Sequence, residues 1–125
     1  MGLQAALVHE ISDADTAIAM GSGDVPVLAT PRLIALAEAA CVAALGDADL
    51  AAGVTTVGTT IEFEHLLALP VGDTVRVSSR LVKVDGRALR FEVVATDDGD
   101  RVIGRGACDR MLVDRGQFVS RTKNR

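Results

Sequence analysis

The stretch Thr30-Pro31-Arg32-Leu33-Ile34-Ala35-Leu36-Ala37-Glu38-Ala39-Ala40-Cys41-Val42-Ala43-Ala44-Leu45, closed by Gly46, decides how the rest of the chain is read. It is rich in strong helix formers, opens on a Thr-Pro pair and stops at a glycine. The spacing predicts a helix with Thr30 as its N-cap and Pro31 in the first helical position. Apolar residues occupy nearly every face of it. A helix that is hydrophobic all round is buried rather than surface-lying.

The flanking segments read mainly as strands. Before the helix, Gln4 to Ile11 is short and apolar-leaning and ends in Ser12-Asp13-Ala14-Asp15, a turn signal. Asp15 to Leu28 carries Gly21-Ser22-Gly23-Asp24 and Pro26, and reads as a long loop with at most one helical turn, the kind of segment that often forms a lid. After the helix, Thr55 to Leu67 is rich in Thr, Val, Ile and Phe, and Leu69-Pro70-Val71-Gly72-Asp73 turns the chain. Thr74 to Val84 alternates apolar and polar residues. Asp85-Gly86 and Asp98-Gly99 are hairpin dipeptides that bracket a strand from about Ala88 to Thr96 and start another from Arg101 to about Val113. One strand, a buried helix and four strands joined by tight turns make an α+β domain, an antiparallel sheet wrapped around one helix. It spans 1–125 as a single unit, with residues from about 115 onward as a tail. The uncovered helix surface and the open sheet edge predict a homodimer.

Composition narrows the function. The 125 residues are 49% hydrophobic and 24% charged, enough for a core and too apolar for disorder. The longest near-apolar run, Leu33 to Leu45, holds Glu38 and falls short of the ~20 residues a membrane span needs. With Phe63, Phe91 and Phe118 as the only aromatics, base stacking is unfavourable, and the net charge of −4 gives no reason to expect nucleic acid. From Arg101 onward seven basic residues face two acidic ones, a balance of +5 that leaves −9 for the first hundred. Met1 to Ala6 has no basic leader, and two free cysteines, Cys41 and Cys108, fit a reducing compartment; the expected location is cytoplasmic. Two His and two Cys without ligand spacing predict no metal site.

Three residues stand out chemically. Glu38 is the one ionisable side chain between Arg32 and Asp47, and carboxylates are seldom buried without a partner. Its bland explanation is a solvent gap or an arginine across a dimer. Thr30 needs no role beyond capping, but eight residues put it ~12 Å from Glu38 along the helix axis and on a neighbouring face. His65 shares strand parity with Val57, Thr59, Ile61 and Phe63, which points it toward the helix unless a bulge intervenes. A lone core histidine is more often structural than catalytic, and His9 reads as structural. Gly58 interrupts the same strand, as glycines do at bulges and at close ligand approach. Together a hydroxyl, a carboxylate and an imidazole form an acid–base set.

These residues carry a resemblance. Thr30-Pro31, Glu38, Gly58, Phe63-Glu64-His65-Leu66 and Leu69-Pro70-Val71-Gly72-Asp73 resemble the hotdog-fold thioesterases related to fluoroacetyl-CoA thioesterase, over nearly the whole chain to Asp114. The resemblance implies a hotdog fold and a homodimeric, metal-free acyl-CoA hydrolase that needs no cofactor beyond the coenzyme A of its substrate. It implies Thr30, Glu38 and His65 as the catalytic set. Fluoroacetate-specific members place aromatic side chains before the helix as a lid. Met20 to Leu28 holds none, which points away from fluoroacetyl-CoA itself.

In the expected reaction an oxyanion donor, the Thr30 hydroxyl or a backbone N–H, contributes about 3 kcal/mol. Glu38 serves as nucleophile or as base for water, and His65 moves the proton. Gly58 lets the substrate pass close to the backbone, and Arg105 and Arg110 are candidate phosphate contacts, with Arg110 the one assigned to substrate binding. The thiol leaves from coenzyme A or from a carrier protein. The competing reading is a non-catalytic hotdog domain that binds an acyl-CoA or other apolar ligand. A hotdog hydratase would want an Asp near His65, and none lies within nine residues upstream or seven downstream.

Overall fold

The computed structural model describes residues 2–46 and 48–123. The chain runs β1 (Gln4–Glu10), a single 3-10 turn (Asp13–Asp15), α1 (Ala17–Met20), α2 (Thr30–Leu45), β2 (Val54–His65), β3 (Thr74–Asp85), β4 (Ala88–Thr96), β5 (Val102–Asp114) and α3 (Arg115–Lys123). The five strands form one antiparallel sheet in the order β1-β3-β4-β5-β2. Because β1 and β2 lie at opposite edges, the chain between them must cross the whole sheet. α2 makes that crossing and covers one face, which is the hotdog arrangement.

Periodicity sets which side of α2 is buried. Leu33, Leu36, Ala37, Ala40, Cys41 and Ala44 recur at helical spacing and pack on Val75, Val77, Phe91, Val93, Ala95 and Ile103 of the sheet. Each fully buried Leu, Val or Phe among them contributes about 1.5–3 kcal/mol. The buried Ser79 hydroxyl donates to the Ala40 carbonyl at 2.7 Å and ties the middle of the helix to β3. The helix is not enclosed, however: Ala35, Ala39 and Ala43 are exposed, and Val42 is 52% exposed.

Several expectations are corrected. Ala29, not Thr30, occupies the N-cap; Thr30 is already helical and no side chain caps the first turn. β5 is an interior strand between β4 and β2. The tail from residue 115 carries the helix α3, none of whose described residues is buried. Gly86, at φ 60, supplies the left-handed residue of the β3–β4 hairpin, but at Asp98-Gly99 it is Asp100 that takes φ 62. The Asp97 carboxylate steadies that turn by accepting from the Gly99 and Arg101 N–H groups. His9 has a partner after all: its Nε2 lies 2.8 Å from Asp15 Oδ2.

Candidate active site

Thr30 stands in the first turn of α2 and His65 closes β2. The fold brings the Thr30 hydroxyl to 2.8 Å from His65 Nδ1. With the ring proton on Nε2 the hydroxyl donates to Nδ1; with the proton on Nδ1 it accepts. His65 is half-buried, and its Nε2 is buried with no hydrogen-bond partner among the described residues. Burial pushes its pKa below the ordinary 6.5, against a smaller opposing effect of the Leu67 backbone. The pair opens onto a cavity of about 300 Å³ whose wall includes Ser22, Asp24, Val25 and Leu66. No phenylalanine is among the described residues that line it.

Glu38 does not join them. Its Oε2 accepts from Arg110 Nη1 at 3.2 Å, and its side chain is 39% exposed. Arg110, expected as a contact for the substrate's phosphates, is buried. Its Nε donates to the Thr56 hydroxyl at 2.9 Å and its Nη2 to the Thr56 carbonyl at 3.2 Å. Arg105 is exposed, 3.7 Å from Glu64. Gly58 lies against the Glu38 carboxylate, which a Cβ there would strike.

A bulge explains how Gly58 faces inward. Pairing of β2 with β5 slips between Gly58 and Thr60, and the extra residue reverses strand parity. Ile61, Phe63 and His65 keep the helix side, whereas Thr59 turns outward and its hydroxyl donates to the Asp109 carbonyl. The shared face expected for His65 is therefore shorter than simple alternation gives. The result is two clusters in one protomer: Thr30 with His65, and Glu38 with Arg110, Thr56 and Gly58. They lie ~12 Å apart on the helix and roughly 20 Å apart on the strand.

Cys41 and Cys108 are free and buried. The contact with Cys108, together with burial, pushes the Cys41 thiol up, which makes it a poor nucleophile. No group of three or more His, Cys, Asp or Glu able to hold a metal occurs among the described residues, and no described helix is long and apolar enough to cross a membrane.

Residues 11–116 match the family described as fluoroacetyl-CoA-specific thioesterase. The chain belongs to that family. As a fluoroacetyl-CoA-specific thioesterase family member it is a thioester hydrolase by class. It is 35% identical over 99 residues to a fluoroacetyl-CoA thioesterase of Streptantibioticus cattleyicolor, covering 79% of this chain and 70% of that one. It superposes on the solved fluoroacetyl-CoA thioesterase FlK with a TM-score of 0.91 at 29% identity, over 100% of this chain and 96% of that one. A threonine-to-serine variant of FlK, solved with acetyl-CoA, gives a TM-score of 0.89 at 28% identity, over 98% of this chain and 96% of that one. A Thermus thermophilus thioesterase superfamily member, at 23% identity and a TM-score of 0.88 over 98% of this chain and 90% of that one, shares the fold.

Proposed function

We propose that this protein hydrolyses small acyl thioesters of coenzyme A, without a metal, as a cytoplasmic homodimer. The observation that carries the reading is the Thr30–His65 hydrogen bond in the wall of an open cavity, in a chain of this family. In the reaction one water is consumed, the acyl C–S bond breaks, and free acid and thiol leave. The Thr30 hydroxyl donates to the developing oxyanion, an interaction worth about 3 kcal/mol. His65, neutral at pH 7, takes a proton from water and returns it to the departing thiolate.

The carboxylate comes from the second protomer. β2 is an edge strand of 12 residues beside the exposed apolar stripe of α2, a surface suited to a second copy. Antiparallel pairing of two β2 edges reverses one strand against the other, so the Gly58 end of one protomer faces the His65 end of its partner. Glu38, held by Arg110, then completes the opposite Thr30–His65 pair. It acts as base for the water that adds to the acyl carbon, passing the proton on to His65, or as nucleophile: Glu38 attacks the acyl carbon, the thiolate leaves, and water opens the mixed anhydride at the Glu38 carbonyl carbon, so that single turnover in 18O-water leaves label in Glu38.

The test is thiol release from short, branched and aromatic acyl-CoAs and from acyl carrier-protein thioesters, with EDTA present. Turnover that collapses in Thr30→Val, Glu38→Gln and His65→Ala supports the reading and ranks substrates. Acyl-CoA binding without turnover would replace it with the non-catalytic binding domain.

A further inference from the structure

Among the described residues Asp15 is the one buried carboxylate, 4% exposed, and nothing in the proposed chemistry uses it. Its Oδ2 accepts from the Ser12 N–H at 2.8 Å and the Ser12 hydroxyl at 3.0 Å, and lies 2.8 Å from His9 Nε2. Its Oδ1 accepts from Arg32 Nε at 2.8 Å. Its backbone carbonyl takes the Ala29 N–H at 2.9 Å. Ala29 immediately precedes Thr30, and Arg32 is two residues beyond it. Asp15 therefore grips the first turn of α2 on both sides of Thr30.

That grip matters because the other directional bond close to Thr30 from outside the helix, the Leu28 N–H to the Leu69 carbonyl at 2.8 Å, holds the strand-like approach and not the helical turn itself. The Thr30 side chain is exposed and touches one hydrogen-bond partner, His65. The buried side chains of Leu28, Ala29 and Leu33 pack without directional preference, whereas charge-assisted bonds fix distance and angle. An unpaired buried charge is strongly destabilising, so such a group persists where its partners are all in place. Burial alone would push the Asp15 carboxyl up. The bonds from the Ser12 N–H, His9 and Arg32 outweigh it and hold the group well below the usual carboxylate range.

We infer that Asp15 is a positioning residue: through Arg32 and the Ala29 N–H it holds the first turn of α2 where the Thr30 hydroxyl meets His65. The inference rests on the reading of Thr30 and His65 as a working pair.

The chain has two histidines, so the 15N spectrum of the imidazoles is simple to assign. The wild type is compared with Thr30→Val, which removes the bond outright, and with Asp15→Asn. In Asp15→Asn the His65 ring nitrogens should move toward their Thr30→Val positions while far-UV circular dichroism stays native. Turnover of acyl-CoA should fall about tenfold to a hundredfold in kcat, with KM within about twofold. Should Asp15→Asn fail to fold, Arg32→Gln cuts the same link and leaves the Ser12 and His9 contacts, and Arg32→Lys should recover part of the signal. Wild-type His65 signals and wild-type kcat per folded molecule in these variants would overturn the inference, as would a loss of rate that tracks the folded fraction alone. A wild type without turnover whose ring signals still shift as described would instead sink the hydrolase reading, and uphold the link from Asp15 to the Thr30–His65 bond.

Discussion

Thr30 and His65 lie 35 residues apart in the chain, and their side chains meet at 2.8 Å. One comes from the start of the helix and the other from the end of an edge strand, so the contact reports the docking of α2 on β2. Thr30→Val keeps the shape and removes the hydroxyl. Turnover should fall about a hundredfold, with a stability loss of about 1 kcal/mol or less. Thiol-release kinetics and urea melts separate the two.

Glu38→Gln is expected to abolish turnover while leaving the fold. The pair with Arg110 is partly solvated on the carboxylate side, so the cost should be about 1 kcal/mol rather than that of a wholly buried pair. Arg110→Lys should cost turnover as well, because an ammonium cannot hold Glu38 and the Thr56 hydroxyl and carbonyl at once. Wild-type rates in either variant would detach this cluster from the chemistry.

At Gly58 the neighbour of an added methyl group is the flexible end of Glu38, which can swing aside. Gly58→Ala should therefore fold with a melting temperature within a few degrees of wild type. Its kcat should drop at least tenfold, because the carboxylate no longer rests where the glycine leaves room. A large loss of stability with full activity per folded molecule would make Gly58 a structural residue only.

If the active site is shared between protomers, two dead variants can rescue each other. Co-refolded Thr30→Val and Glu38→Gln chains should give about a quarter of wild-type activity, since half the dimers are mixed and each mixed dimer keeps one intact site. Activity no greater than the sum of the parents would place all three residues in one protomer's site, or outside it.

Two groups give separate pH signatures. Burial lowers the His65 pKa, so below 6.5 the unfolded chain binds a proton that the folded one refuses. The stability this group provides is present above 6.5 and is lost as the pH falls beneath it; His65→Ala should flatten that slope between about pH 7 and 5. The neutral base also persists below 6.5, which puts the acid limb of kcat/KM under that value. For Asp15 the stabilisation is complete above the ordinary 3.8 and is lost as the pH falls further, a second acid transition that Asp15→Asn should remove. Urea melts across pH read both.

The sequence by itself determined the elements. Helix formers between a Thr-Pro pair and a glycine place α2 to within one residue of Thr30–Leu45, and the hairpin dipeptides place β4 at about Ala88–Thr96, because propensity and turn chemistry act within a few residues. The odd position of Glu38 in an apolar helix was legible for the same reason. Tertiary structure decided everything that depends on contacts between distant segments. The bulge after Gly58 set which residues of β2 face the helix, and an interior β5 turned Arg110 from a candidate phosphate contact into the partner of Glu38. Asp15, in a stretch that reads as a turn, became a buried anchor because His9 and Arg32 converge on it from another strand and another helix. Local patterns carry no record of such convergence, since a side chain's partners are chosen only when the sheet closes beneath the helix.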